Sequence, residues 1–140
     1  MNYFDKAKNI SFLSDFKQTH IGCVAIYKKQ IIGVGYNTNK THPIQMKYNK
    51  YRNLEWNGIQ PKAKLHAEIM CLLNIKNLDI DFSKVKLYIY REDKNSKLAL
   101  SKPCNACMKA IKNLGIKEIN YTTYNGYMYD RGGFGSSGIK

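Results

Sequence analysis

The stretch that decides the fold is H-A-E at residues 66–68, taken together with P-C-N-A-C at residues 103–107. A catalytic zinc ion takes three protein ligands and keeps a fourth position open for water, so one imidazole and two thiolates suit it if they converge. His66, Cys104 and Cys107 supply this set. Two cysteines separated by two residues lie within one helical turn, and at a helix start the backbone dipole favours the thiolate form. The pattern therefore predicts a metal site.

Each half of the pattern also has a simpler interpretation. A lone C-x-x-C is equally typical of a redox pair or of half a structural zinc site, and a lone H-x-E has little meaning. A structural zinc site would need a fourth Cys or His at ligand spacing. Cys23 and Cys71 lie in apolar runs, and His20 and His42 have no second ligand beside them in the sequence. The combination therefore favours an open, catalytic site in which Glu68 relays protons.

The combined pattern resembles the H-x-E and P-C-x-x-C signature of the zinc-dependent nucleobase deaminases, the cytidine deaminase-like superfamily. The resemblance covers roughly residues 20–124 and implies an α/β fold of three layers, α/β/α, with a mixed five-stranded sheet and helices on both faces. It implies one Zn2+ per chain, held by His66, Cys104 and Cys107. It also implies hydrolytic deamination, with Glu68 as the catalytic proton shuttle.

The resemblance further implies where the substrate is contacted. In the family an asparagine shortly after the second strand contacts the sugar, and Asn37 resembles it, although an Asn at this place is also ordinary turn chemistry. The peptide before the P-C-x-x-C proline, here at Lys102, supplies a carbonyl that accepts the substrate amine. Polynucleotide deaminases often have Ser directly before that proline, whereas Ser101 is displaced by one position, which weakens assignment to that branch. The candidate substrate-binding residues are Asn37, Ala67, Lys102, Tyr121 and Tyr124.

Hydrophobic periodicity predicts the order helix, hairpin, helix, strand, helix, strand. A rough helical stripe through residues 2–17, which includes Phe12 and Leu13, predicts a first helix that covers one face of a sheet. Residues 66–78 are apolar on nearly every side and predict a buried helix with the catalytic groups on its first turn. The other elements are hairpin strands at 21–27 and 31–36, a strand at 85–90, an amphipathic helix through Cys107 and Leu114 that Gly115 closes, and a strand at 116–121.

The chain after this core differs among branches of the family. Asn125-Gly126 between aromatic residues is a strong hairpin signal, so a fifth strand is predicted to return antiparallel to the fourth. This arrangement resembles the free-nucleoside branch, because the nucleotide, tRNA and polynucleotide branches usually insert a helix here and run the fifth strand parallel. If the tyrosines at 121, 124, 127 and 129 instead form a loop over the pocket, they would make a stacking wall for bases.

The formal net charge of +13, from 23 Lys and Arg against 10 Asp and Glu, would attract polyanions. An AT-rich genome produces the same excess of lysine. Residues 38–64 show little periodicity and interleave basic residues such as Lys62 with rings such as Trp56, which is typical of single-stranded nucleic acid binding. A solvated loop with a few rings tucked onto the domain explains the segment nearly as well. His42, which precedes a proline here, is more typical of a turn than of a metal site.

The length predicts a single zinc-dependent deaminase domain at residues 1–130, followed by a flexible Gly- and Ser-rich tail at 131–140. The sequence shows no disulfide framework, no signal-peptide pattern and no apolar run long enough to span a bilayer. A reducing cytoplasm and no membrane partner are therefore expected. The oligomeric state stays open, a homo-oligomer included.

The predicted function is conversion of cytosine to uracil, slightly favoured on single-stranded DNA or RNA because of the charge. The first alternative is deamination of free cytidine, deoxycytidine or dCMP. The second is deamination of adenosine in RNA or tRNA, to which no further motif points. A third is a catalytically inactive nucleic-acid-binding module, against which the intact Glu68 argues.

Overall fold

The structure is a computed structural model that describes residues 2–16, 19–52 and 64–131. The helices are α1 Tyr3–Ser11, α2 Pro43–Asn49, α3 Ala67–Ile75, the short 3-10 helix Phe82–Lys84 and α4 Asn105–Leu114. The strands are β1 His20–Tyr27, β2 Gln30–Tyr36, β3 Lys86–Glu92, β4 Glu118–Thr123 and β5 Gly126–Arg131. The predicted tail, apart from Arg131, lies outside the described residues, as do Trp56 and Lys62.

The five strands form one mixed sheet in the order β2-β1-β3-β4-β5. Only the β3–β4 pair is parallel, with Lys86 opposite Glu118, while the other three pairs are antiparallel. The parallel pair needs a crossover, and the segment that contains α4 provides it. The predicted mixed five-stranded sheet is confirmed.

Helices cover both faces of the sheet, as predicted. Alternate strand residues point to opposite faces, so each strand serves two layers. One face packs against α3 and α4 through a core that includes Cys23, Leu87 and Ile119. The opposite face packs against α1 through a smaller cluster that includes Val24 and Tyr90. Cys23 is therefore a core residue of the larger layer.

Helix α3 approaches β2 closely because residue 35 is glycine. A Cβ atom added at Gly35 would collide with the carbonyl oxygen of Ala67 and with the backbone of Cys71. Both partners are backbone, which has little freedom to move aside. The missing side chain thus lets the first turn of α3 lie directly on the sheet, and this fixes the position of the residues that begin the helix.

The segment predicted to be irregular contains a helix, so that prediction was wrong for α2. The buried residues of α2 are Gln45 and Asn49, which are four positions apart and therefore share one face. Both are polar. The apolar residues Ile44 and Tyr48, also four positions apart, pack against the core, but one such pair is too short a repeat to predict a helix from the sequence. His42 is its N-cap, and its Nδ1 accepts a hydrogen bond of 3.1 Å from the backbone N–H of Ile44. The interpretation of His42 as a local turn residue agrees with this role.

The first helix ends earlier than predicted, at Ser11, and Phe12 is its C-cap. Phe12 and Leu13 were expected on the stripe that covers the sheet, but more than half of each side chain is exposed. The predicted stripe was wrong at these two residues, because it assumed that helical spacing continues beyond Ser11, where the helix ends. No helix in the described part of the chain is long and apolar enough to cross a bilayer.

The predicted hairpin at the end of the chain is confirmed, and β5 runs antiparallel to β4. The two loop residues are Tyr124 and Asn125, since Thr123 pairs with Gly126. Gly126 opens β5 with φ of 146°, a backbone conformation that favours glycine. The hairpin signal was therefore correct, with the turn one residue earlier than the Asn-Gly pair.

Candidate active site

The N-termini of α3 and α4 meet at one end of the sheet, where β1 begins and β2 ends; we call this the zinc end. His66 is the N-cap of α3, Cys104 is the N-cap of α4, and Cys107 follows in the first turn of α4. The Nδ1 atom of His66 lies 3.3 Å from Sγ of Cys107 and 3.7 Å from Sγ of Cys104. The three ligand atoms lie within 4.8 Å of one another, and in the described part of the chain they form the one group of this kind.

This geometry fits zinc. Nitrogen and sulfur ligands at about 2.0–2.3 Å from a tetrahedral zinc ion stand roughly 3.5 Å apart, which is close to the spacing of His66 and the two thiols. Three protein ligands leave a fourth position open, as in catalytic sites. The cofactor is zinc, and His66, Cys104 and Cys107 are positioned to hold it.

The two thiols of the site differ in their affinity for protons. A hydrogen bond from Cys107, together with the nearby His66, lowers the pKa of Cys104 to about 3, although burial acts in the opposite direction. The hydrogen bond to Cys104, together with burial, raises the pKa of Cys107 well above its usual value. The metal-free pair therefore holds one thiolate and one thiol, and zinc binding displaces the remaining proton.

Glu68 lies in the first turn of α3 and is only 5 % exposed. Burial raises the pKa of its carboxyl group, and the nearby His66 opposes this in part. Burial alone would lower the pKa of His66, but the hydrogen bond with Cys104 and the charge of Glu68 raise it overall. A buried carboxyl group that takes up a proton more readily than an exposed one suits proton transfer near neutral pH.

The backbone at His66 is held by α2, which sequence reasoning missed. The N–H of His66 donates a 3.0 Å hydrogen bond to Oε1 of Gln45, and Nε2 of Gln45 donates to Oδ1 of Asn49 at 2.9 Å. Gln45 is fully buried. Two buried amides therefore connect α2 to the residue that begins α3. The sequence gives no signal for Gln45 and Asn49, because polar residues within a short helix are ordinarily expected on its solvent face.

A second buried network holds the loop that leads into Cys104. The β3–β4 pairing ends at Ile89 and Tyr121. Beyond this pair, the loop segment that contains Ala99 and Ser101 lies between the two strands, with backbone hydrogen bonds to Arg91 and Thr122. The hydroxyl of Ser101 donates to the carbonyl of Ile89 at 2.8 Å and accepts from the N–H of Thr122 at 2.8 Å. The hydroxyl of Thr122 in turn donates to the carbonyl of Ala99 at 2.7 Å. Ser101 and Thr122 thus fix the approach to the P-C-x-x-C segment.

Asn37 lies at the end of β2, at the zinc end. Its Oδ1 accepts from the N–H of Ile21 at 2.9 Å, and its Nδ2 donates to the carbonyl of Thr19 at 3.0 Å. The side chain therefore connects the end of β2 to the start of β1. This structural role agrees with the alternative interpretation of Asn37 as an ordinary turn residue. It also lines a cavity of about 160 Å³ that borders His66. The cavity is lined by Phe16, Thr19, Ile21, Asn37, Thr38, Lys64, Leu65 and His66.

The other predicted substrate-binding residues occupy different environments. Ala67 is the buried first residue of α3, beside the metal ligands. The ammonium group of Lys102 lies 4.0 Å from a carboxylate oxygen of Asp130. Tyr121 is buried in the main core, whereas Tyr124 lies in the β4–β5 turn and is 68 % exposed. The side chains of Tyr121 and Tyr124 thus do not share one environment.

The alternative that the tyrosines at 121–129 form a loop over the pocket does not hold. Tyr121, Tyr127 and Tyr129 lie in strands β4 and β5. The ring of Tyr127 stacks on Phe4 of α1 with centroids 4.3 Å apart, on the face of the sheet away from α3 and α4. Tyr127 therefore contributes no wall to the zinc site. Alternation puts Tyr127 and Tyr129 on one face of β5, whereas Tyr121, which lies opposite Met128, belongs to the core on the other face of the sheet. The strand pattern predicts this separation once the hairpin is accepted.

Comparison with known proteins agrees with the site. The model of a family described as the cytidine and deoxycytidylate deaminase zinc-binding region matches residues 1–123. No match was found among curated protein sequences.

Several solved structures share the fold. A dCMP deaminase from the cyanophage S-TIM5, solved in complex with dCMP and dUMP, is 20 % identical over 85 % of this chain and 76 % of its own, with a TM-score of 0.58. A cytidine deaminase from Burkholderia pseudomallei is 13 % identical over 94 % of this chain and 93 % of its own, with a TM-score of 0.60. A cytidine deaminase from Mycobacterium leprae is 16 % identical over 92 % of this chain and 93 % of its own, with a TM-score of 0.52. At these identities the similarity establishes the fold.

Proposed function

The chain belongs to the cytidine and deoxycytidylate deaminase zinc-binding family and is a zinc-dependent hydrolytic deaminase, and from this premise we propose that it converts cytosine to uracil in single-stranded nucleic acid. The observation that carries the chemistry is the convergence of one histidine and two cysteines at two helix N-termini, with a buried glutamate in the same turn. The observation that favours a strand as substrate is the charge of the helical face around this site.

The chemistry is hydrolysis, in which water adds to the ring carbon that bears the amine and ammonia leaves. When bound, zinc supplies the Lewis acidity that lowers the pKa of a coordinated water molecule. The carboxylate of Glu68 would take one proton from the attacking water and give it to the ring nitrogen, and would then take the second proton of the same oxygen and give it to the amine, which leaves as ammonia. The raised pKa of Glu68 lets the carboxyl group hold each proton between its uptake and its delivery. Gln45 and Ser101 keep the ligand-bearing segments in place while this occurs.

The helical face beside the zinc site is basic and aromatic. Lys50 and Lys109 lie over the ring of Tyr51, at 5.2 and 5.3 Å from its centroid, and Lys47 lies 5.7 Å from the centroid of Tyr48. Helices α2 and α4 contain no Asp or Glu, and Glu68, which α3 contains, is buried. Lysines for phosphates and rings for bases are the combination that binds single-stranded nucleic acid. Lys109 lies in α4, the helix whose first turn carries the zinc ligand Cys107, and its ammonium group and that of Lys50 share the ring of Tyr51.

Free cytosine nucleosides and nucleotides are the second candidate substrate. The antiparallel β5 is the observation that favours them, because this strand direction is typical of the free-nucleoside branch. The cavity of about 160 Å³ beside His66 and Asn37 is small and would admit a single nucleoside or nucleotide unit. Either substrate would present the same ring to Glu68.

The experiment that separates the two is a parallel deamination assay. Zinc-loaded protein is given a cytosine-containing single-stranded oligonucleotide, the matched duplex, cytidine, deoxycytidine and dCMP, and uracil formation is measured. We expect conversion of the single strand and resistance of the duplex, because extracting a paired base costs roughly a few kcal/mol. Affinity for the strand should fall steeply with salt. Rapid turnover of the monomers with untouched oligonucleotides would overturn the strand as substrate and leave the deaminase chemistry standing.

A further inference from the structure

A cleft of about 290 Å³ lies at the end of the sheet opposite the zinc site, on the face that packs against α1. It opens where β1 turns into β2 and where β3 begins. We call it the lysine cleft. Its lining residues are Tyr3, Ile26, Lys28, Lys29, Lys84, Lys86 and Tyr88. None of them contributes to the deaminase chemistry.

Four of the seven lining residues are lysines, and no carboxylate is among the described residues that line the cleft. Two acidic groups that lie near the cleft have other partners as well. Glu118, which stands opposite Lys86 in the β3–β4 register, lies 3.2 Å from Nε of Arg131. Asp81 caps the 3-10 helix through the N–H and hydroxyl of Ser83, and the charge of Lys84 also helps to lower the pKa of its carboxyl group. The cleft therefore keeps an excess of positive charge that favours an anion.

The turn that carries two of these lysines is strained. Tyr27 pairs with Gln30, so Lys28 and Lys29 alone form the loop, and their φ angles are +51° and +67°. A two-residue turn with both φ angles positive selects Asn and Gly, because other side chains meet the backbone in this conformation. The chain places lysine at both positions. The β1–β2 register shifts close to this turn: Ala25 pairs with Gly33 and Ile26 with Ile31, which leaves Ile32 as the extra residue of a bulge in β2. Bulges often re-aim side chains next to binding sites.

Two aromatic rings border the same cleft. The rings of Tyr3 and Tyr88 lie 5.2 Å apart at an angle of 50°, and the hydroxyl of Tyr3 donates to the carbonyl of Lys29 at 3.3 Å. The side chain of Lys28 also contacts the ring of Tyr27, at 5.3 Å from its centroid. Tyr3 thus ties the strained turn to α1, and the rings of Tyr3 and Tyr88 form an aromatic border beside the ammonium groups.

We propose that the lysine cleft binds a phosphate-bearing ligand, with phosphates on Lys28, Lys29, Lys84 and Lys86 and with a planar base beside Tyr3 and Tyr88. A free nucleoside triphosphate and the backbone of a nucleic acid strand share this chemistry. A role in binding anions explains why lysine occupies both turn positions, although their positive φ angles disfavour it. The site is separate from the zinc end, so this proposal stands whether or not the substrate of the deaminase is a strand.

The test measures binding to the zinc-loaded protein by calorimetry with three probes: inorganic tripolyphosphate, ATP and a short oligothymidylate. The first variant is Lys28→Asn with Lys29→Gly, which removes two charges and gives the turn the residues that it favours. The second is Lys84→Gln with Lys86→Gln, which removes two charges and leaves the turn unchanged. The control is Lys76→Gln with Lys112→Gln, which removes two exposed charges on the α3–α4 side. Zinc content is measured after each titration, because polyphosphates chelate metals.

We expect both cleft variants to bind tripolyphosphate roughly tenfold more weakly than the parent, and the control to change by less than about twofold. The Lys28→Asn, Lys29→Gly variant should also unfold at a temperature about 2–5 °C higher, because the turn is relieved of strain. Tighter binding of ATP than of tripolyphosphate would identify a nucleotide as the ligand, and tighter binding of the oligothymidylate would identify a strand. Equal losses in the control and in the cleft variants, or no binding by the parent, would overturn the proposal.

Discussion

The zinc end and the lysine cleft lie at opposite ends of one sheet and hold their polar groups in opposite ways. At the zinc end, Glu68 and Cys107 are buried and the backbone at His66 is fixed by the buried amide of Gln45. At the lysine cleft the charged groups are exposed, and two of them stand on a turn whose backbone is unfavourable for lysine. Proton transfer requires fixed distances and little water, whereas the attraction between lysine and phosphate tolerates both motion and solvent.

The difference predicts how each end responds to substitution. At the zinc end, a change of one buried group should remove activity, because metal and proton positions depend on several fixed contacts. At the lysine cleft, substitutions should leave activity intact. Replacement of the turn lysines by residues that favour positive φ can raise stability, because lysine is unfavourable in that conformation. The following substitutions test this contrast, beginning with the largest expected effect.

Replacement of a zinc ligand should have the largest effect. Cys104→Ser protein is expected to lose most of its zinc, to deaminate at the background rate and to unfold at a lower temperature, because the metal joins the ends of α3 and α4. Metal content and thermal unfolding are the measurements. The control is Cys71→Ala, which changes a buried thiol one turn past Glu68 and should keep about one zinc per chain. Equal zinc content in Cys104→Ser protein would remove this residue from the ligand set.

Loss of the proton shuttle should come next. Glu68→Gln keeps the size of the side chain and removes the titrating carboxylate, so kcat should fall roughly a thousandfold. Zinc content and thermal unfolding should match the parent, since Glu68 is not a ligand in the proposed set. A Glu68→Gln variant that turns over near the parent rate would place proton transfer on another group.

The Ser101 network should have an intermediate effect. Ser101→Ala removes a hydroxyl that bonds to Ile89 and Thr122, and the unpaired buried groups should lower the free energy of unfolding by about 1–3 kcal/mol. If the network positions the approach to Cys104, kcat should also fall, by roughly tenfold, while zinc stays bound. Thr122→Ser, which keeps the hydroxyl, should restore the parent kcat that Thr122→Val loses. A stability loss with unchanged kcat would make the network purely structural.

Substitution in the lysine cleft should have the smallest effect on catalysis. Lys84→Gln with Lys86→Gln is expected to leave zinc content and the turnover of a free nucleoside within about twofold of the parent, because these exposed lysines lie at the far end of the sheet. The measurement is kcat with cytidine or deoxycytidine, whichever turns over faster. A large fall in kcat would show that the two ends are coupled.

Much of the zinc end could be predicted from the sequence because its chemistry depends on rare residues at fixed spacing. The ligand set, Glu68, the helix that carries it and the Gly115 cap of α4 all lie where the pattern placed them. The fifth strand was also predictable, because Gly126 with its flanking aromatic residues identifies a hairpin. These signals lie in short stretches of sequence, so they can be recognised without knowledge of the fold.

The remainder of the site depends on contacts between distant segments. The most buried residues of α2, Gln45 and Asn49, are polar, and one apolar pair, Ile44 and Tyr48, is too short a repeat to predict the helix that holds the backbone of His66. The pairing of Ser101 with Thr122 joins residues 21 positions apart and follows from the split between β3 and β4. The strain at Lys28 becomes visible only when the hairpin register shows a two-residue turn. These features require the tertiary structure.

The most direct test of the central claim is removal and return of the metal. Zinc is removed from the parent and from Glu68→Gln protein, one equivalent is added back, and uracil formation is measured with the substrate that the parallel assay identifies. The account predicts background activity in both metal-free proteins, recovery in the parent alone, and zinc uptake by both. Deamination by the metal-free parent at the rate of the zinc-loaded protein would contradict it.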